Sequence, residues 1–200
     1  MLEPVNTVLK GVNRLNVLKG DYVWVAGQGP IGLLFTRMLA LRGIRVIASD
    51  LCQNRLRLAR EYGATHMLDA AEAGFAESIQ RITRGAALDA AVIATPADAL
   101  VKQAFEFTRG GGQVLLFAHT KRGQELAVDP ARVCVDEKDL VGSYSADFTV
   151  QREAARLVFS RRIGTASLVT HQFALNETAA AIALAAKPTP ESLKVMVEAK

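Results

Sequence analysis

Apolar and polar positions follow two alternating rhythms along the chain. Short apolar runs at residues 22–26, 45–49, 66–68, 90–94, 113–118 and 140–144 read as strands. Near-continuous apolar runs of this kind suit strands of a parallel sheet covered on both faces. Between them lie stretches with apolar residues three and four apart, the helical period. The first helix, residues 3–15, carries Val5, Val8, Leu9, Val12 and Leu15 on one side. Further helices are predicted over 30–41, 52–62, 73–83, 97–108 and 149–159, the last extending toward Arg162. Gly63, Gly85 and the run Gly110, Gly111, Gly112 stand where helices should end. Residues 120–125 read as a polar loop. After Ile163 the rhythm changes to strand, helix, strand at 167–173, 176–186 and 193–198. This divides the chain into a unit of residues 1–163 and a C-terminal segment of 164–200.

The connection between the first two strands carries the clearest chemistry. Gly27, Gly29 and Gly32 form G-x-G-x-x-G between a strand and a helix, and Asp50 follows 18 residues after Gly32. In that setting the pattern is a dinucleotide fingerprint. Gly27 permits the sharp turn, Gly29 lets a pyrophosphate approach the backbone, and Gly32 lets the helix pack closely on the strand. Pro30 has no N–H but suits the first helical position. The amides of Ile31 and Gly32 are therefore the expected phosphate donors at the positive end of the helix. Asp50 can accept both hydroxyls of a ribose and would repel a 2′-phosphate, which favours NAD over NADP. Strand and helix alternate throughout. The expected fold is thus α/β, a doubly wound parallel sheet (Rossmann fold) in the order 3-2-1-4-5-6, with a short C-terminal extension.

Composition narrows the function. Half the residues are hydrophobic, as in a globular chain. No apolar run is long enough to span a bilayer, and residues 1–6 lack the pattern of a signal peptide, so no membrane partner and a cytoplasmic location are expected. The net charge of +4 is modest, and its Arg and Lys residues are scattered without aromatic interleaving, which argues against nucleic acid. Cys52 and Cys134 offer neither a disulfide framework nor zinc spacing. His66, His119 and His171 lie far apart and read as structural, although His119 follows the fifth strand at its functional edge. Catalytic residues are not identifiable, and no metal cluster is expected.

The sequence resembles the cofactor-binding half of medium-chain zinc-dependent alcohol and polyol dehydrogenases, nearest the sorbitol and threonine branch. The resemblance rests on Glu3-Pro4, the loop Gly27 to Gly32, Asp50 with Arg55 and Leu56, Tyr62-Gly63-Ala64, Gly111 to Val114, and Val169 to Phe173. It implies that Gly27, Gly29, Pro30, Ile31 and Gly32 surround the pyrophosphate. Asp50 would hold the adenosine ribose, Arg55 would flank adenine, and Thr95, Phe117 and Ala118 would lie beside nicotinamide. Glu3 matches a position near the catalytic zinc, and also suits the acidic start of a helix.

Departures accompany the resemblance. Thr95 is followed by Pro96 where the family usually has Gly, the fifth strand ends in Ala118 in place of Gly, and Ser145 stands where sorbitol dehydrogenases place Arg. A preceding catalytic domain of roughly 150 residues, a usual domain size, is expected to carry the zinc ligands and most of the substrate pocket. Zinc is thus expected only in a longer form, and residues 164–200 would complete that domain. The expected function is NAD(H) binding within an oxidoreductase acting on an alcohol or polyol, inactive alone. A free-standing NAD-binding or sensor module is the alternative. An edge strand from Leu140 to Tyr144 implies a homodimer.

Overall fold

The computed structural model describes residues 1–118, 123 and 125–199. Among these, strands β1 (Tyr22–Ala26), β2 (Arg45–Asp50), β3 (His66–Asp69), β4 (Leu88–Ile93), β5 (Thr108–Leu116) and β6 (Asp139–Gly142) form one sheet in the order β3-β2-β1-β4-β5-β6. Every neighbouring pair in it is parallel. The helices are α1 (Leu2–Val12), α2 (Pro30–Leu41), α3 (Gln53–Glu61), α4 (Phe75–Thr83), α5 (Ala99–Phe107), α6 (Pro130–Cys134) and α7 (Gln151–Phe159). The order is the doubly wound one expected from the sequence. The carboxyl ends of β1, β4 and β5, neighbours in the sheet, open on one edge, where such sheets bind ligands.

Strand alternation sorts the core into two layers. Val23, Val25, Val46, Ala48, Val92 and Leu115 face α1, α2 and α7. Trp24, Ala26, Ile47, Ala91 and Val114 face α4 and α5. Successive side chains of a strand point to opposite faces, so each apolar run feeds both layers. On the first face α1 approaches α2 so closely that a Cβ on Gly11 would lie 2.8 Å from Phe35 Cζ. Phe35 is fully buried and meets Phe117 edge to face, with ring centroids 4.8 Å apart. This packing links the core to the end of β5.

The C-terminal segment forms β7 (Val169–Ala174), α8 (Thr178–Ala186) and β8 (Lys194–Glu198). β7 and β8 pair in parallel as a separate sheet. The segment is nonetheless anchored to the main unit. Leu168 is fully buried in the first core layer, and the Tyr62 hydroxyl donates to the Gly164 carbonyl at 2.7 Å. Among the described residues, no helix is long and apolar enough to cross a membrane.

Several bounds differ from those read in the sequence. α1 ends at Val12, not Leu15. A short helix, α6, was not anticipated; Asp129 caps it by accepting from the Ala131 amide. β6 stops at Gly142, because Ser145 turns into the left-handed region at φ +61° and the Tyr144 carbonyl is taken by Lys10. β6 is the edge strand, as expected. The loop expected at 120–125, apart from residues 123 and 125, and His119 lie outside the described residues.

Phe35→Ala should lower stability by about 3–5 kcal/mol, the usual range for deleting a buried aromatic ring. Urea unfolding measures it, and a loss below about 1 kcal/mol would show that Phe35 does not anchor this layer.

Candidate functional site at the carboxyl edge of the sheet

Each glycine of the β1–α2 loop answers a different demand. Gly27 has φ +89°, and a Cβ there would lie 2.8 Å from Thr95 Cβ. Gly32 faces the harder limit: its Cβ would sit 1.8 Å from the Gly27 carbonyl oxygen. At Gly29 the reverse holds, since a Cβ would meet nothing within 4 Å. Two glycines are thus required by the protein itself, while the third keeps space open. Gly29 caps α2 and Pro30 opens it. The Leu33 amide donates to the Gly29 carbonyl at 2.9 Å. The amides of Ile31 and Gly32 precede it and have no acceptor within the helix. They and the positive end of α2 suit an anion.

Asp50 ends β2 and is almost fully buried. Its Oδ2 accepts from the Gln28 amide at 2.6 Å, and its Oδ1 from the Cys52 amide at 2.9 Å. The carboxylate therefore ties the glycine loop to the end of β2. An ionised carboxylate has about four lone-pair sites, so capacity remains for ligand hydroxyls. Arg55 Nη1 lies 3.9 Å from Asp50 Oδ2, while Arg55 Nε is buried without a partner in the protein. The Gln28 side chain is itself pinned: its amide donates to the Val25 carbonyl, and its oxygen accepts from Thr36.

The loop runs between two clefts. One, of about 400 Å³, is lined by Gly27, Asp50, Arg55 and Thr95 together with Trp24, Leu51, Ala70, Phe75 and Leu100. The other, of about 340 Å³, is lined by Ile31, Ala94, Phe117, Ala118, Glu3, Thr7, Tyr144, Ser145 and Lys194. The first is mostly apolar with one acid and one base at its wall, a setting for a planar base and a sugar. The second joins residues from α1, α2, the end of β5, the segment after β6, and β8.

The sequence-derived residues thus divide into two groups. Gly27, Asp50 and Arg55 share the first cleft, and Ile31, Phe117 and Ala118 share the second, with Gly29, Pro30 and Gly32 in the loop between. Thr95 falls with Asp50 instead of with Phe117, because it packs directly on Gly27. Glu3 lines the second cleft, and its carboxylate accepts from the Thr7 hydroxyl at 2.8 Å. Lys194 went unnoticed in the sequence. It places a cation in the second cleft from β8, and no local pattern marks it.

The remaining titratable candidates lie elsewhere. His66 opens β3 opposite Ile47, and partial burial followed by the nearby Arg45 charge lowers its pKa. His171 is on β7, next to the Thr170 hydroxyl. Cys52 directs its thiol to the Pro190 carbonyl at 3.5 Å. Burial raises the pKa of Tyr62, whose hydroxyl also meets Ser167. Among the described residues, no three His, Cys, Asp or Glu side chains come together in a group that could hold a metal ion.

A six-stranded parallel sheet with a glycine loop and an acid at the next strand end defines a dinucleotide-binding α/β protein. Comparison with known proteins places it more closely. A family model described as zinc-binding dehydrogenase matches residues 30–160. An L-arabinitol 4-dehydrogenase of Talaromyces emersonii is 32% identical over 212 residues, covering 98% of this chain and 54% of its own length. A sorbitol dehydrogenase of Halalkalibacterium halodurans is 29% identical over 182 residues, with 88% and 52% covered. A Sinorhizobium meliloti structure described as a zinc-binding dehydrogenase bound to NADP superposes with a TM-score of 0.91 at 27% identity, covering 99% of this chain and 58% of its own. The chain belongs to the zinc-binding dehydrogenase family and corresponds to its cofactor-binding half. It spans about half the length of the curated relatives it matches.

Gly29→Ala should leave stability within about 0.5 kcal/mol, as at unconstrained surface positions. Gly32→Ala should destabilise by at least about 3 kcal/mol, beyond ordinary overpacking, because backbone must move. Thermal melts of the two variants test this, and equal melting temperatures would contradict the packing described for the loop.

Proposed function

We propose that this chain binds NAD(H) within an oxidoreductase that moves hydride between nicotinamide and an alcohol or polyol. The observation that carries the reading is the open space at Gly29, above free helix amides and beside the Asp50 carboxylate. The pyrophosphate would rest on the amides of Ile31 and Gly32. Adenosine would occupy the cleft of Asp50, Arg55, Trp24 and Leu100, with its ribose hydroxyls on Asp50. The nicotinamide half would enter the cleft of Phe117, Ala118 and Ser145. Lys194 and the N-terminus of α2 supply positive charge facing the phosphates. When bound, the nicotinamide supplies the hydride-transfer chemistry. The protein's part is to hold and orient it.

The same reading takes the substrate to be an alcohol or polyol, on the strength of relatives named for arabinitol and sorbitol. A catalytic zinc needs three protein ligands and an open position, and the described residues do not form such a set. Glu3, held by Thr7 in the second cleft, is the residue that a zinc brought by further protein would find there. Residues 164–200, with Leu175 and Ile182 exposed, are read as packing against that further protein.

The cofactor assignment is tested by calorimetric titration. The chain should bind NADH more tightly than NADPH, and Asp50→Ala should narrow the difference. Equal affinity of the unmutated chain for both would contradict the role given to Asp50.

Assembly follows from the edge strand. Leu140 of β6 is 45% exposed, and an apolar strand edge tends to find a partner. We read β6 as pairing with β6 of a second copy in a two-fold dimer. The Ser143 amide donates inward to the Leu116 carbonyl. Alternate residues of a strand direct their amides to opposite sides, so Leu140 and Gly142 direct theirs outward. Leu140→Pro removes an outward donor and spares the bonds to β5. Light scattering should then show a dimer falling to monomer. A monomeric unmutated chain, or a dimeric variant, would rule out β6 as the interface.

A further inference from the structure

Asn6 has no evident task in the sequence, yet it is 1% exposed in the middle of α1. A buried side-chain amide must find partners for its donors and acceptor. Asn6 finds all of them in one distant segment. Its Nδ2 donates to the Asp147 carbonyl at 2.9 Å and to Gln151 Oε1 at 2.6 Å, and its Oδ1 accepts from the Asp147 amide at 2.8 Å. One turn along α1, Lys10 Nζ donates to the Tyr144 carbonyl at 3.0 Å. α1 therefore grips the chain on both sides of Ser145.

Ser145 lies between these grips at φ +61°. That conformation is uncommon for a side chain other than glycine, and it persists where the surroundings over-determine it. Tyr144 and Ser145 form a wall of the cleft that also holds Phe117 and Ala118, whereas Asn6 does not reach the cleft. A strained turn is thus held at a cleft wall by a buried polar knot behind it.

We infer that Asn6 is a positioning residue for the nicotinamide half of the cofactor, acting through the turn at Ser145. The inference rests on the proposed NAD(H) reading. The adenosine cleft is built from other elements and does not touch this knot. Loss of Asn6 should therefore separate the two halves of the cofactor. Removing it takes three hydrogen bonds from the turn, leaving the part-buried Asp147 backbone and the exposed Gln151 without the partner that fixes them.

The test compares NADH with AMP, which reads only the adenosine cleft. Asn6→Ala should raise the Kd for NADH about tenfold, the effect of losing one such network, with the Kd for AMP unchanged. Hydrogen exchange should show loss of protection at residues 144–147. Gln151→Glu, which keeps an acceptor for Nδ2, should bind NADH as the unmutated chain does. If Asn6→Ala does not fold, Gln151→Leu removes one of the three bonds and should show the same separation to a smaller extent, with the Kd for NADH raised and that for AMP unchanged. Unchanged NADH affinity in a folded variant overturns the inference, as does a parallel loss of AMP, which marks general damage. An unmutated chain that binds AMP but not NADH removes the cofactor reading, and this inference with it.

Discussion

The structure depends on how closely α2 can approach β1. A Cβ on Gly32 would overlap the Gly27 carbonyl oxygen, so the helix seats against the strand only because that side chain is absent. With α2 seated, Leu33, Leu34, Phe35 and Met38 reach the first core layer, and Phe35 meets Phe117 at the end of β5. The same contact aims the start of α2, with its unbonded amides, along the carboxyl edge of the sheet. One steric constraint therefore serves both the packing of the core and the shape of the site.

Polar contacts then join the loop to the rest of that edge. Asp50 holds the Gln28 amide on one side and the start of α3 on the other. Asn6 and Lys10 hold the turn after β6 against α1. Buried polar groups are costly unless paired; Asn6, Gln28 and Asp50 are paired at this end of the sheet, and Thr83, Thr108 and Lys138 are paired elsewhere in the fold.

How much of this was legible follows from the range of each signal. The six strands, their order and the glycine loop were legible because each depends on residues close in sequence. Gly32 and Asp50 are separated by only 18 residues and one helix. Lys194 was not legible, since it reaches the second cleft only after the chain folds back through β8. Asn6 was not legible for the same reason; its partners are more than 140 residues away. Thr95 is placed beside nicotinamide by the resemblance; in the structure it packs on Gly27 and lines the cleft of Asp50, a neighbourhood that sequence distance does not reveal. α6 escaped notice because five residues are too few for a helical period to show, although Asp129-Pro130 is a helix-start signal.

The central claim is that the two clefts on either side of the glycine loop form one dinucleotide site. Trp24 is the sole tryptophan and lines the cleft of Asp50 and Arg55, to which the adenosine half is assigned by proposal. Excitation of Trp24 with detection of NADH emission therefore reads the site directly. The account predicts saturable energy transfer at one NADH per chain, reversed by excess AMP. Absence of transfer at saturating NADH, or transfer that AMP does not displace, would contradict it.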